Sequence, residues 1–305
     1  MVLKVFVFAC CLLLFLNFAV LPHSYYSKKK NEYTDNLENA RSFPGNCLMI
    51  GDSHGEILGQ DINEFKCYNL SRANDSIFEM YLKLLYVLGN NPNIDTVVVS
   101  SDFHLFQERK EHTNNQYIMR AFLSVDDINK WYDVDIKYNY SKISTVFDPN
   151  LYTYFRKKVL RKLFMKEAAD GVGRGEGKAW AEMSREKRVE DAKNFSYIHL
   201  LGNLSQRLIN AYEEIVNLCK QNHIRLVAVR FPVTVEYHDS IAKEFREKIE
   251  NVYENFDVHH FLDYEQLIDD PQLFTDRDHL NDRGAKVLID KMTDDLGDAL
   301  SMGTQ

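Results

Sequence analysis

The sequence has no Cys-x-x-Cys pair and no group of cysteine and histidine at zinc spacing, so a structural zinc site is not expected. Its five cysteines divide unevenly. Cys10 and Cys11 lie in an apolar N-terminal stretch, which leaves Cys47, Cys67 and Cys219 for the folded part. Three cysteines do not make a disulfide scaffold; free buried thiols are the favoured reading, with a Cys47–Cys67 bridge as the alternative outside the cytosol. No stripe of lysine and arginine with interleaved aromatics occurs, and the net charge is −8. Both set nucleic-acid binding aside. Gly173, Gly175 and Gly177 lack the spacing and the leading strand of a dinucleotide fingerprint, and no internal repeat is present.

What is present begins with residues 5–21, apolar except for Asn17, with Lys4 before them and Pro22 and Lys28-Lys29-Lys30 after. No small-x-small cleavage site follows, so an uncleaved signal-anchor over residues 1–22 is expected in preference to a cleaved signal. The lysines on the far side run against the positive-inside pattern for a protein whose bulk lies outside the cytosol. Long C-terminal domains translocate largely regardless of such charge, so an extracytoplasmic domain on a membrane anchor remains the expectation. Val7-Phe8-Ala9-Cys10 is not a lipobox, because the apolar core continues beyond the cysteine. Asn-x-Ser sequons stand at Asn69, Asn74, Asn139, Asn194 and Asn203. They would accept glycans in a secretory pathway, but the chain is rich in asparagine and they carry little of the argument.

Residues 23–45 are polar and aperiodic and read as a linker. From residue 46 to 305 short apolar runs alternate with helical patterns. Strands are expected at 47–50, 96–99, 225–231 and 258–262, and helices at 76–88, 204–219 and 241–253. The helix at 76–88 has apolar residues at helical spacing and ends at Gly89-Asn90-Asn91-Pro92. This rhythm predicts an α/β fold, a parallel sheet with helices on both faces. Residues 106–197 break it and read as a largely helical insertion, with helices around 125–131 and 151–166. The insertion is either a substrate-binding cap or a solvated excursion.

Two segments carry chemistry. Met49-Ile50-Gly51-Asp52-Ser53-His54-Gly55 sits where a buried strand ends, the place where α/β sheets bind ligands. Small neighbours let the backbone turn sharply and leave the Ser53 amide free to help bind an oxyanion. Near the C-terminus runs Phe274-Thr275-Asp276-Arg277-Asp278-His279-Leu280-Asn281-Asp282-Arg283-Gly284-Ala285. Serine needs a base to become a nucleophile at neutral pH, and histidine is the usual one. That base needs a carboxylate to hold its tautomer, and Asp276 lies one turn of chain from His279. Alone, Gly-Asp-Ser is ordinary turn chemistry, and Asp and His before a helix are ordinary capping. Together, one after the first strand and one before the last helix, they point to an acyl-transfer site.

This pair of segments resembles the SGNH (GDSL-type) hydrolase superfamily. The Gly51-Asp52-Ser53-His54 and Asp276-x-x-His279-Leu280-Asn281-x-x-Gly284-Ala285 forms are most similar to SGNH domains that accompany acyltransferases of bacterial envelope polysaccharides. The resemblance covers roughly residues 46–105 and 204–296. It implies a flavodoxin-like three-layer sheet, a catalytic triad of Ser53, His279 and Asp276, and neither metal nor cofactor. Two blocks depart from the pattern. Where the family has a glycine after its second strand, this chain has 69–75, with Asn74 as the stand-in because asparagine tolerates the left-handed region. Where the family has an asparagine after its third strand, this chain has Ser100-Ser101-Asp102-Phe103-His104. An ionised Asp102 cannot donate to an oxyanion, so Ser101 or a backbone amide is expected there, with His104 either binding substrate or packed.

The expected function is a membrane-anchored enzyme that transfers or removes an acyl group, acetyl by resemblance, on a carbohydrate hydroxyl through an acyl-Ser53 intermediate. A membrane acyltransferase is the candidate partner. The alternative, from another class, is a catalytically silent SGNH-like subunit that presents a glycan to such a partner.

Overall fold

The structure is a computed structural model that describes residues 7–8, 11, 25–59, 61–62, 66–111, 115, 130–131, 180–200 and 202–301. The chain divides into two compact units: Met1–Glu38 with Gln116–Gly173, and Asn39–Asn115 with Arg174–Gln305. The described part of the first unit is chiefly a helix, α1 (Tyr25–Arg41), which continues into the second. Residues 23–45, read as aperiodic, are therefore mostly helical. The side chains described there as buried on the helix are Tyr33, Leu37 and Ala40, spaced four and three apart, a stripe too thin to mark a helix by periodicity. Among the described residues no helix is long and apolar enough to cross a membrane. The expected anchor at 1–22 and the expected helices near 125–131 and 151–166 lie almost entirely outside those residues.

The second unit is built on a six-stranded sheet in the order β2-β3-β1-β4-β5-β6. Its strands are β1 (Cys47–Ile50), β2 (Asp61–Ile62), β3 (Cys67–Asn69), β4 (Thr96–Ser100), β5 (Arg225–Arg230) and β6 (His260–Asp263). Five strands are parallel; only β2, at the edge, runs antiparallel to its neighbour β3. From β1 the chain crosses first to β3 on one side, then to β4 and onward on the other. The strand order thus reverses between β1 and β4, and the carboxyl ends of that pair are where open α/β sheets bind ligands.

Burial of both faces explains why these strands read as continuous apolar runs. Met49, Val98, Val227 and Val229 share a core with Leu288, Met292 and Leu296 of the last helix, α8 (Asp282–Ser301). The alternate residues Leu48, Ile50, Val97, Val99, Leu226 and Ala228 point to the other face and are equally buried. Two further helices, α3 (Ile77–Leu88) and α5 (Gln206–Gln221), pack on one another. Ser76 and Glu79 close a reciprocal capping box at the start of α3, the sequence signature of a helix start.

Three features differ from the sequence reading. Cys47 and Cys67 are joined in a disulfide, not free thiols. They occupy directly opposed positions on neighbouring parallel strands, with Cα atoms 4.4 Å apart, within the range a disulfide spans. Strand β3 itself was not marked, because three residues ending in asparagine carry no apolar run. Finally, the end of the expected insertion belongs to the sheet-bearing unit as helix α4 (Arg185–Leu200). Its buried stripe is Ala192, Ser196 and Leu200, and it packs against α6 (Val235–Ser240). A stripe of one small, one polar and one apolar residue has no hydrophobic period to detect.

Candidate active site

The backbone around Ser53 is shaped by what surrounds Gly51 and Gly55. A Cβ on Gly51 would stand 2.0 Å from Ser100 Oγ and 2.9 Å from Ser71 Oγ, and one on Gly55 would stand 2.4 Å from Ser71 Oγ. Glycine at both places lets the chain turn from β1 into the short helix α2 (Ser53–Glu56) without displacing the Ser71 and Ser100 hydroxyls. Asp52 caps α2, accepting from the His54 amide. Asn69, at the end of β3, donates to the carbonyls of Gly55 and Gly59, both at 2.7 Å, and so ties that turn to the neighbouring strand. Asn69 was not among the sequence candidates, and its only signal was its place at the end of an unmarked strand.

His279 is held by a compact loop. Phe274 and Leu280 form an isolated bridge, the Thr275 amide donates to the His279 carbonyl at 2.8 Å, and the Asn281 amide donates to Leu273 O at 3.0 Å. Within the loop Asp276 Oδ1 accepts from the amides of Asp278 and His279, at 3.1 and 2.9 Å. Asn281 then accepts from Arg283 and Gly284 and starts α8. A Cβ on Gly284 would lie 2.3 Å from Leu273 O, which explains the glycine.

These two halves meet. His279 Nε2 lies 2.9 Å from Ser53 Oγ, and His279 Nδ1 lies 2.9 and 3.2 Å from the two oxygens of Asp276. The structure thus brings together the three residues that sequence reasoning placed in one site.

The other candidates stand elsewhere. Asn74 adopts the left-handed conformation expected of it, with φ 68°, but its side chain is exposed in the turn before α3. Among the described residues it makes no hydrogen bond to the triad. Ser101 Oγ pairs with Tyr212 Oη at 2.7 Å and faces the core. His104 is packed: its Nε2 sits 2.6 Å from Asp52 Oδ2, where Lys110 Nζ also arrives at 3.1 Å. Asp102 accepts from the Phe231 amide at 2.9 Å and pairs with His54 Nδ1 at 3.0 Å. Both its oxygens are engaged, so it is an acceptor and not an oxyanion donor. Two buried hydroxyls beside Gly51, Ser71 Oγ and Ser100 Oγ, have no hydrogen-bond partner.

Charge in this region is dense and alternating. Burial would push Asp52 up, but the Lys110 ammonium, His104 and His54 hold it well below the usual carboxylate range. Burial and the Lys110 charge push His104 down, leaving it a neutral donor to Asp52. For His54 burial opposes the charged form, yet the carboxylates of Asp102, Asp278 and Asp52 raise it well above the ordinary imidazole range. Burial also works against His279, but the charge of Asp278 and the hydrogen bond to Asp276 raise it to about 9. Asp278, buried and facing both imidazoles, is held well below its ordinary range.

Asp52, His54 and His104 form one group of mutually close ligand-type atoms, and His54, Asp278 and His279 form another. Their contacts are donor–acceptor pairs, such as His104 to Asp52 and His54 to Asp102, and a divalent ion would break them. We assign a metal to neither.

No protein-family model matches the chain, and no curated protein is similar to it. The reading of the reaction type therefore rests on the geometry just described.

Proposed function

We propose that the chain is a serine acyl-ester enzyme that transfers or removes an acyl group on a carbohydrate hydroxyl, with Ser53 as nucleophile, His279 as base and Asp276 as its orienting carboxylate. One observation carries the reading. A serine at the switch point of a parallel sheet lies 2.9 Å from an imidazole nitrogen whose other nitrogen is held by a carboxylate. That is the arrangement nucleophilic acyl transfer requires.

In the proposed cycle neutral His279 takes the Ser53 proton as Oγ adds to the ester carbonyl. Collapse of the tetrahedral adduct expels the alcohol oxygen, which receives that proton from His279. Acyl-Ser53 remains. Water or a carbohydrate hydroxyl then gives its proton to His279 and attacks the acyl carbon, and Ser53 leaves with the proton restored. Water completes hydrolysis; a sugar hydroxyl completes transfer. Because His279 is raised to about 9, turnover by the free enzyme should climb as pH rises from neutrality toward that value.

The carbohydrate substrate and acetyl as the acyl group come from the SGNH resemblance. The Cys47–Cys67 disulfide supports placement of this unit in an oxidising compartment, in keeping with an extracytoplasmic domain carried on an N-terminal anchor. A silent glycan-presenting subunit partnering a membrane acyltransferase is the second reading. What favours it is Asp102, an acceptor standing where the family supplies a donor.

Turnover of an activated acetyl ester, with and without Ser53→Ala, separates the two. The enzyme reading expects a loss of at least about 10^3-fold. Turnover unchanged by the substitution would sink it. If simple esters are inert, O-acetylation of glycan in cells carrying either form is measured instead.

A further inference from the structure

Behind the triad lies a second imidazole that the cycle above does not use. His54 is 4 % exposed, yet both its nitrogens face carboxylates: Nδ1 is 3.0 Å from Asp102 Oδ2 and Nε2 is 3.7 Å from Asp278 Oδ2. Its ring stands edge-on to His279 and to His104, with centroids 4.9 Å away in each case. Asp278 then reaches the base: its other oxygen lies 3.1 Å from His279 Nδ1. The directional hydrogen bond of that nitrogen goes to Asp276, and Asp278 Oδ1 makes none. Asp102, His54, Asp278 and His279 therefore form one line of alternating charge from the end of β4 to the base.

We propose that His54 and Asp278 are a positioning pair that sets the proton affinity of His279, while Asp276 fixes its tautomer. The proposal rests on the triad reading above. Its physical basis is the difference in surroundings of the two carboxylates. The Asp276 side chain is 33 % exposed and is screened by water, whereas that of Asp278 is 6 % exposed and acts through a low-dielectric interior. Asp278 alone would stabilise the imidazolium of His279 too well for it to accept the serine proton. A base works best with an affinity near the working pH. His54, held as a cation between Asp102 and Asp278, shares the Asp278 charge and repels the proton on His279. The shifts of His54 and His279 to higher values and of Asp278 to a lower one run in the sense this arrangement requires.

Other charged groups face the pair. Asp52, His104 and Lys110 lie on the far side of His54, and Asp52 adds to its stabilisation. Arg277 Nε stands 4.0 Å from Asp278, and Arg109, His199 and Tyr237 lie within its electrostatic reach. Their fields reach His279 through space as well as through Asp278 and His54, and they are common to wild type and to both variants.

The test uses the full chain and two variants whose shifts should be opposite in sign. In Asp278→Asn the rising limb of kcat/KM against pH should move down by about one unit, and in His54→Gln it should move up by about half a unit or more. A purely structural role would lower activity in both without moving the limb. The ring titration of His279, followed by NMR and assigned by its loss in His279→Gln, should move in the same two directions. Limbs and ring titrations that stay within about 0.2 unit of wild type, or that move together, overturn the proposal. If wild type shows no Ser53-dependent turnover, the enzyme reading fails, while the ring titrations still decide the pair. If Asp278→Asn does not fold, His54→Gln decides alone, an upward shift supporting the proposal and any other result overturning it.

Discussion

Two histidine–carboxylate pairs lie within one ring contact of each other and are built in opposite ways. His279 and Asp276 are three residues apart, half-buried, and held by the turn they themselves form. His54 and Asp102 are 48 residues apart, buried, and joined because β1 and β4 are neighbours in the sheet. The first pair is a local object on a loop, able to change protonation next to solvent. The second is part of the interior, where losing one charge strands the other. Under the proposed function, such a site separates the group that gains and loses a proton from the charges that fix how readily it does so.

That contrast can be broken from either end. The largest effect is expected on the local pair. Asp276→Asn should lower ester turnover by about 10^4-fold, through loss of the tautomer, while leaving unfolding by urea nearly unchanged. A comparable fall in stability would show that the loop is not independent of the core. The buried pair should behave in reverse. Asp102→Ala strands the His54 charge and the Phe231 amide together, and should cost about 3–5 kcal/mol in a urea titration. A change under about 1 kcal/mol would place the pair outside the folding core.

Acid acts on the buried carboxylates with a definite sign. Asp52 is lowered in the folded state, so its contribution is complete above the unfolded value of 3.8 and is lost as pH falls below that toward the folded value. His54 is raised, so its contribution is complete below 6.5 and is lost only as pH climbs well above it. Between those two limits both contributions should be complete, while His104, lowered by burial and Lys110, should make stability fall as pH drops below 6.5; Asp52→Asn should weaken the further loss below 3.8, to which Asp278 also contributes. The smallest effect is expected from the disulfide. Cys47→Ser with Cys67→Ser should lower stability by about 2–4 kcal/mol with the site geometry kept, because the bridge lies at the opposite end of β1 from Ser53. Loss of Ser53-dependent turnover out of proportion to that change would link the bridge to the site.

The same contrast explains what could be read in advance. Asp276 and His279 were legible because their spacing alone brings them together. Ser53 was legible because a buried strand stops three residues before it, at Ile50, and the apolar runs 47–50, 96–99 and 225–231 matched strands because both faces of the sheet are buried. His54, Asp102, Asp278 and Asn69 were not assigned these roles, because their partners are set by strand order and not by spacing. His104 was weighed as a substrate contact, but its partner Asp52 turned out to be a buried carboxylate already claimed by Lys110. Spacing alone leaves free thiols the favoured reading over a Cys47–Cys67 bridge, because nothing in twenty residues of separation reveals that the two stand opposite each other. Helix α4 was hidden by a stripe of Ala192, Ser196 and Leu200 that no hydrophobic period betrays.

The contact between His279 and Ser53 spans 226 residues, and its base-bearing loop is pinned by the helix that follows it. Chain emerges from the ribosome N-terminus first, and long-range contacts close only after the intervening segments are ordered. Ser53 is thus made early and His279 late. Under the proposed function, a nascent chain would carry Ser53 as an ordinary hydroxyl until α8 has docked and set His279 beside it.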